Sequence, residues 1–154
     1  MAEIWFYHLQ NAPLEKVLPN LLERSLERGW KAVIQATSDE RVDALDASLW
    51  TYAEDAFLAH GTQRDGDAER QPVWLTTGTD NPNGAKIRFL VEGADVMGAL
   101  NEPGADYDRV LLMFNGNDDA ELGSARAQWK VLKEQGHTLA YWQQTDDGRW
   151  VKKA

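Results

Sequence analysis

The sequence predicts a single α/β domain, with a Rossmann-like, mostly parallel sheet flanked by helices. Short apolar runs alternate along the chain with longer segments in which apolar residues recur every three or four positions. Strands and helices that alternate in this order form a parallel sheet with helices on its faces. The 154 residues include 43% hydrophobic positions, and no linker or internal repeat is visible. We therefore expect one domain over residues 1–154.

The chain opens with a predicted strand and helix. Residues 3–9 form a dense aromatic and β-branched run, which suits a buried first strand. Residues 13–28 have the leucine spacing of an amphipathic helix, and Gly29 supplies a C-terminal stop. Pro19 lies inside that spacing and lacks a backbone donor, so we expect a kink there or a regular helix that begins near Pro19.

A second strand and helix follow. Residues 31–36 are an apolar run, and Ser38 is placed to cap a helix whose apolar positions extend to Trp50. Residues 61–70 are polar and rich in Gly and Asp, which predicts a flexible loop. Asn117 and three acidic residues mark the start of a last helix that extends to about Gln135. Further strands are expected at residues 57–60, 72–77, 86–91, 109–114 and 138–142.

The charge of the chain is negative and unevenly distributed. The formal net charge is −9, and residues 1–120 carry 10 basic against 21 acidic side chains. Residues 121–154 carry 6 basic against 4 acidic side chains, so the C-terminal quarter is the only basic region. This balance disfavours tight binding to a bare nucleic-acid backbone. It fits a local site for an acidic partner, although a negative charge that merely keeps the protein soluble is the simpler interpretation.

Most enzyme classes lack their motifs in this sequence. The chain has no cysteine, which excludes disulfides, thiolate catalysis and Cys-ligated metal centres. No Gly-x-Gly-x-x-Gly, phosphate-binding loop or Gly-x-Ser-x-Gly elbow is present. The apolar runs are too short to span a bilayer, and no signal peptide is visible, so we expect a soluble, cytoplasmic protein without a cofactor.

A metal-dependent enzyme is the alternative that the residues leave open. His8, His60 and His137 are far apart in sequence, and His60 precedes the acidic loop 61–70. A metal site that combines His8 and His60 with Asp65 or Asp67 is conceivable, although isolated histidines usually form hydrogen bonds within the fold. A small α/β enzyme that uses His60 and loop 61–70 is therefore the second functional hypothesis.

The last predicted helix carries a basic stripe beside an apolar one. Arg126, Lys130 and Lys133 are spaced by four and three residues and fall on one side of the helix. An apolar stripe lies next to them: Leu122, Ala125, Trp129 and Leu132. Trp129 lies where the stripes meet, which suits a ligand that carries both a hydrophobic ring and a carboxylate. Spacing alone favours the simpler interpretation, a helix that packs Trp129 inward and leaves a solvated basic edge.

Aromatic residues in the middle of the chain give a second indication of binding. There are 7 tryptophans, and Trp50 and Phe57 bracket a short, partly polar stretch after the second predicted helix. Such residues act as binding anchors or pack back onto the sheet, and the sequence favours neither outcome.

Five blocks, in their order along the chain, resemble one family, the chi subunit of bacterial DNA polymerase III holoenzyme: Ile4–Leu9, Arg41–Trp50, Phe57–Gly61, Gln71–Leu75 and Asn81–Gly84. The resemblance covers essentially the whole chain. It implies a Rossmann-like fold without a nucleotide site. It also implies a non-catalytic accessory subunit, in a family catalogued with DNA-directed DNA polymerase as part of the holoenzyme.

The resemblance also implies two protein partners. The psi subunit would attach the chain to the clamp loader, through the residues that match Trp50 and Phe57. Single-stranded DNA-binding protein would be held by its acidic, Phe-terminated C-terminal tail. The family's tail-binding set falls on Arg126, Trp129 and Lys130.

The chain departs from the family pattern one helical turn before Arg126. A further basic position of the family is Leu122 here, so we expect either a weaker electrostatic clamp or one that Lys133 completes. Tail affinity therefore depends on how these two residues are placed.

Overall fold

The computed structural model describes residues 2–10, 12–51, 59–103, 105–147 and 149–154. In these residues the chain forms one seven-stranded sheet in the order β3-β2-β4-β5-β1-β6-β7. Every neighbouring pair is parallel except β6 and β7, so the predicted fold class is confirmed. The strands are β1 (Glu3–Leu9), β2 (Ala32–Gln35), β3 (Val73–Thr76), β4 (Ile87–Val91), β5 (Arg109–Asn115), β6 (Leu139–Gln144) and β7 (Trp150–Lys152).

Helices cover both faces of the sheet. They are α1 (Leu14–Glu27), α2 (Asp39–Thr51), α3 (Val96–Leu100) and α4 (Asp119–Glu134), with a 3₁₀ turn at Ala68–Arg70. The first apolar cluster joins α1 and α2 to one face of the sheet, and the second joins α3 and α4 to the other. Alternate residues of β1 divide between them: Tyr7 belongs to the first cluster and Phe6 to the second. No helix in the described ranges is long and apolar enough to cross a membrane.

The helix ends follow the capping signals of the sequence in most places. Ser38 accepts a hydrogen bond from the Arg41 amide at 3.3 Å, as a cap of α2 should. Pro19 lies buried inside α1, which begins at Leu14, so a helix start near Pro19 is wrong. The cap of α4 is Asp118 rather than Asn117, because its carboxylate accepts from two first-turn amides.

Two elements of the structure were not predicted from the sequence. Helix α3 has only five residues, and Asp95 caps it by accepting from the Met97 amide at 3.1 Å. Strand β7 is a three-residue partner of β6, too short to show a period. The strand expected at residues 57–60 is not found in its described part: His60 is outside any strand, and only Gly61 bridges to Trp74.

A buried arginine on β4 organises the loop that connects β3 to β4. Arg88 is 0% exposed, and its guanidinium donates to the side chains of Gln35 and Tyr107. It also donates to the backbone oxygens of Gly78 at 2.6 Å and Asp80 at 2.8 Å. Because these acceptors satisfy the guanidinium, Arg88 holds the loop against the sheet from inside.

Candidate partner-binding surfaces

Trp129 lies half-buried on α4, in a slot between two aromatic rings. Its ring meets Phe6 of β1 edge-on at a centroid distance of 5.1 Å, and Tyr141 of β6 edge-on at 5.7 Å. Edge-to-face contacts of this kind stabilise aromatic clusters and fix the orientation of the rings. The indole is thus held in one position at the boundary between the core and solvent.

A second layer fixes the Tyr141 ring in turn. Its hydroxyl lies 2.7 Å from His8 Nδ1, and the rings of His8 and Phe114 pack beside it. His8 is buried against Gly116, where a Cβ atom would overlap the imidazole. Tyr141 and His8 therefore position Trp129. No local sequence pattern signals this contact, because the three residues are distant in sequence and meet only through the pairing of β1 with β6.

The predicted basic stripe lies in solvent beside this slot. Arg126, Lys130 and Lys133 are all exposed on α4, and within the described residues none of them forms an ion pair. Leu122 packs against the second apolar cluster, so that position contributes to the core and not to the stripe. The structure thus brings the three predicted cations and Trp129 onto one helix, with the indole between the stripe and the sheet.

Arg126 acts electrostatically on the residues of the slot. Burial lowers the pKa of His8, and the positive charge of Arg126 lowers it further. Burial raises the pKa of Tyr141, and Arg126 opposes that shift. The guanidinium therefore lies close enough to the slot for its charge to be felt there, and a carboxylate that entered beside Trp129 would be attracted to it.

A second exposed aromatic residue stands at the end of α2. Trp50 is 52% exposed, and its ring lies against the buried His60 at a centroid distance of 4.5 Å. The Nε2 atom of His60 lies 2.9 Å from an Asp46 carboxylate oxygen. Phe57, the other residue predicted for this surface, lies outside the described residues.

The structure does not assemble the metal site of the alternative hypothesis. His60 is enclosed by Trp50 and Asp46, and Asp65 accepts from the amide and hydroxyl of Thr62. In the part of the chain that the structure describes, no three His, Asp or Glu side chains stand close enough to hold a metal ion.

Three glutamates line the cavity at the carboxyl edge of the sheet, together with Arg41 and a larger number of apolar and amide residues. It measures about 390 Å³ and lies where the chain leaves β1 and β5 toward opposite faces, the usual ligand position in parallel sheets. Glu15 and Glu92 there pair with Arg41, and Glu121 binds the Asn115 amide. Burial and neighbouring carboxylates raise the pKa of Glu121. Three carboxylates against one arginine that is already paired make this lining unfavourable for the phosphate of a nucleotide.

Fold and surfaces together define a small α/β protein that carries a fixed tryptophan beside exposed cations on α4. The family model of the DNA polymerase III chi subunit, HolC, matches residues 1–140. The chain belongs to that family, the chi subunits of DNA polymerase III, and the resemblance noted in the sequence is confirmed.

A curated relative supports the same assignment. The chain is 29% identical over 96 residues to a probable DNA polymerase III subunit chi of Rickettsia prowazekii (strain Madrid E). The matched segment covers 62% of this chain and 58% of that relative. The chain therefore spans little more than half the length of the curated relative that it matches.

Proposed function

We propose that the protein is a non-catalytic adaptor of the replication machinery, which links the clamp loader to single-stranded DNA-binding protein. One surface binds the acidic, Phe-terminated C-terminal tail of that protein through Arg126, Trp129, Lys130 and Lys133. The surface around Trp50 and Phe57 binds the psi subunit. Membership of the chi family supports the setting, and the geometry of α4 supports the tail contact.

The observation that carries the proposal is the fixed, half-buried Trp129 beside exposed cations on a protein of net charge −9. The exposed part of the Trp129 ring supplies an apolar, aromatic contact for a terminal Phe ring. Arg126 and Lys130 supply donors for its carboxylate, and Lys133 extends the basic stripe toward acidic residues earlier in the tail. Since these charges lie at the surface, the contact should be modest in affinity and sensitive to salt.

Fluorescence anisotropy of a labelled acidic peptide that ends in Phe tests the tail site. Wild-type protein should bind it, and Arg126→Ala should weaken binding by about tenfold. Lys16→Ala is the matched control, because it also removes one positive charge from an exposed helical position. The same peptide ending in Ala should bind poorly. Equal loss in both variants would show that net charge, and not the α4 surface, sets the affinity.

The psi surface needs its own test. Purified psi should bind wild-type protein in calorimetry, and Trp50→Ala should remove most of that affinity, because large exposed aromatics dominate such interfaces. Val151→Ala truncates another exposed apolar side chain and should have no effect. Full psi binding by Trp50→Ala would contradict this part of the proposal and leave the tail site untouched.

A further inference from the structure

A second concentration of basic and aromatic side chains lies on the face of the sheet opposite α4. A cavity of about 190 Å³ lies between the C-terminal half of α1 and strands β1, β4 and β5. Its lining includes Arg24, Arg28 and Arg109, and no acidic side chain of the described residues lines it. Phe89 and Leu111 belong to the apolar core and form part of the wall. Three arginines with no acid in the lining are unusual on so acidic a protein.

Two of the three arginines, Arg28 and Arg109, lie over tryptophan rings. The Arg109 guanidinium carbon lies 3.8 Å from the Trp5 ring centroid and 5.6 Å from that of Trp30. Arg28 lies over the same Trp30 ring at 4.2 Å. The indole faces attract both cations and bring two like charges together, an arrangement that an anion between them would stabilise.

The positive charge of Arg109 is only partly compensated. The nearest carboxylate, that of Glu3, is 3.7 Å from Nη2 and does not line the cavity. Burial and the charge of Arg28 lower the pKa of Arg109, although Glu3 and Asp108 oppose that shift. The Arg109 Nε atom is buried and has no hydrogen-bond acceptor in the described residues. A guanidinium stacked on a ring still presents its in-plane N–H groups, which match the two oxygens of a carboxylate.

We propose that this cavity binds an aromatic carboxylate, with the ring beside Trp5 and the carboxylate held by Arg109 and Arg28. The volume suits a single ring, since a protein cavity of roughly 150 Å³ holds benzene. It is too small for a nucleotide, because pockets for drug-sized ligands begin at about 300 Å³. The same chemistry is presented by a free aromatic acid and by an aromatic C-terminal residue of a protein.

Two-dimensional ¹H–¹⁵N spectra of the labelled protein test this proposal with benzoate as the probe. Benzoate should shift the indole signals of Trp5 and Trp30, which Trp5→Phe and Trp30→Phe identify. Arg109→Gln should weaken binding by about tenfold and exposed Arg28→Gln by about threefold. Arg70→Gln is the matched control, since Arg70 is also exposed but precedes the edge strand β3 and does not line the cavity. It should leave the affinity unchanged.

Three outcomes would overturn the proposal. Benzyl alcohol, which has the ring but no charge, could bind as well as benzoate. Arg70→Gln could weaken binding as much as Arg28→Gln, or the benzoate shifts could disappear in Arg126→Ala, which would place the ligand on α4. An acidic Phe-terminated peptide distinguishes a free aromatic acid from a protein C terminus as the natural ligand. It is added to the Arg126→Ala variant, in which the α4 surface is weakened. Shifts at Trp5 and Trp30 would identify a peptide C terminus, and shifts with benzoate alone a free acid. If the α4 surface of wild-type protein does not bind the tail peptide, the spectra with benzoate and with the peptide still test the cavity beside Trp5 and Trp30.

Discussion

The two surfaces proposed for protein partners differ in how each tryptophan is held and in the charge around it. Trp129 is half-buried, clamped edge-on by Phe6 and Tyr141, and bordered by exposed cations without ion pairs in the described residues. Trp50 is 52% exposed and rests on a histidine that is already paired with Asp46. The first ring is part of the fold, whereas the second mostly projects from it.

This difference indicates two kinds of recognition. If the proposed function holds, the fixed ring beside exposed cations would select a short charged peptide and exchange it readily, because the attraction depends on exposed charge. A projecting indole gains its free energy when a partner buries it, which suits a lasting subunit contact. The predictions below compare the two surfaces, from the largest expected effect to the smallest.

Gly116→Ala should disrupt the α4 surface most strongly. The added Cβ would overlap the His8 ring, which positions Tyr141 and through it Trp129. We expect the free energy of unfolding to fall by about 3 kcal/mol, as overpacking of a core does. Urea denaturation measures this change, and tail binding should fall with it. Gly123→Ala is the control, because its Cβ meets nothing within 4 Å on α4 and should stabilise the helix by up to about 1 kcal/mol.

Truncation of the two tryptophans should lower the free energy of unfolding by different amounts. Trp129→Ala should lower the free energy of unfolding by about 2 kcal/mol, because the ring fills the space between α4 and the sheet. Trp50→Ala should cost less than about 1 kcal/mol, because half of its surface is already in water. Both values come from urea denaturation. Equal costs would contradict the distinction between a fixed ring and a projecting one.

Salt should act on one interaction and spare the other. Between about 0.05 M and about 0.3 M NaCl, the affinity for the tail peptide should fall roughly tenfold, because exposed charges are screened. Binding of psi through Trp50 should change little over the same range, since burial of apolar surface does not depend on ion pairs. Anisotropy for the tail peptide and calorimetry for psi, in matched buffers, give the dependence of each affinity on salt concentration. Equal dependence on salt would contradict the proposed difference between the two surfaces.

The smallest expected effect concerns His8. Its pKa is lowered by burial and by Arg126, so the neutral imidazole stabilises the fold fully above the unfolded pKa of about 6.5. That contribution is lost as the pH falls below this value. Arg126→Ala should raise the His8 pKa toward its ordinary value, which NMR titration of the ring measures directly. An unchanged pKa in that variant would show that Arg126 does not act on the slot.

The sequence predicted those helices and strands in which apolar residues recur at a regular spacing or a capping residue marks the end. The leucines of α1 and the apolar runs of β1 and β5 are long enough to define their elements. Helix α3 and strand β7 are shorter than one clear period, and the packing of the sheet decides their form. Pro19 was misleading because a helix interior tolerates it when tertiary contacts outweigh the lost hydrogen bond.

The candidate site was predictable only where it lies on one helix. The spacing of Arg126, Trp129 and Lys130 could be read directly, because residues three and four apart share a face. The contribution of Tyr141 and His8 depends on the order β1-β6 in the sheet, which no local pattern encodes. The same holds for Arg28 and Arg109, which are 81 positions apart and meet over Trp30.

The buried Arg88 has a consequence for how the molecule opens. Residues 78–80 follow β3 in a connecting loop, the kind of segment that usually exchanges its amide hydrogens through small local fluctuations. Here the carbonyls of Gly78 and Asp80 bind a guanidinium anchored in the interior strand β4. Because Arg88 would lose these acceptors inside the core, the loop opens only when β4 does. Its peptide groups therefore belong to the same cooperative unit as the sheet, although they lie at its rim.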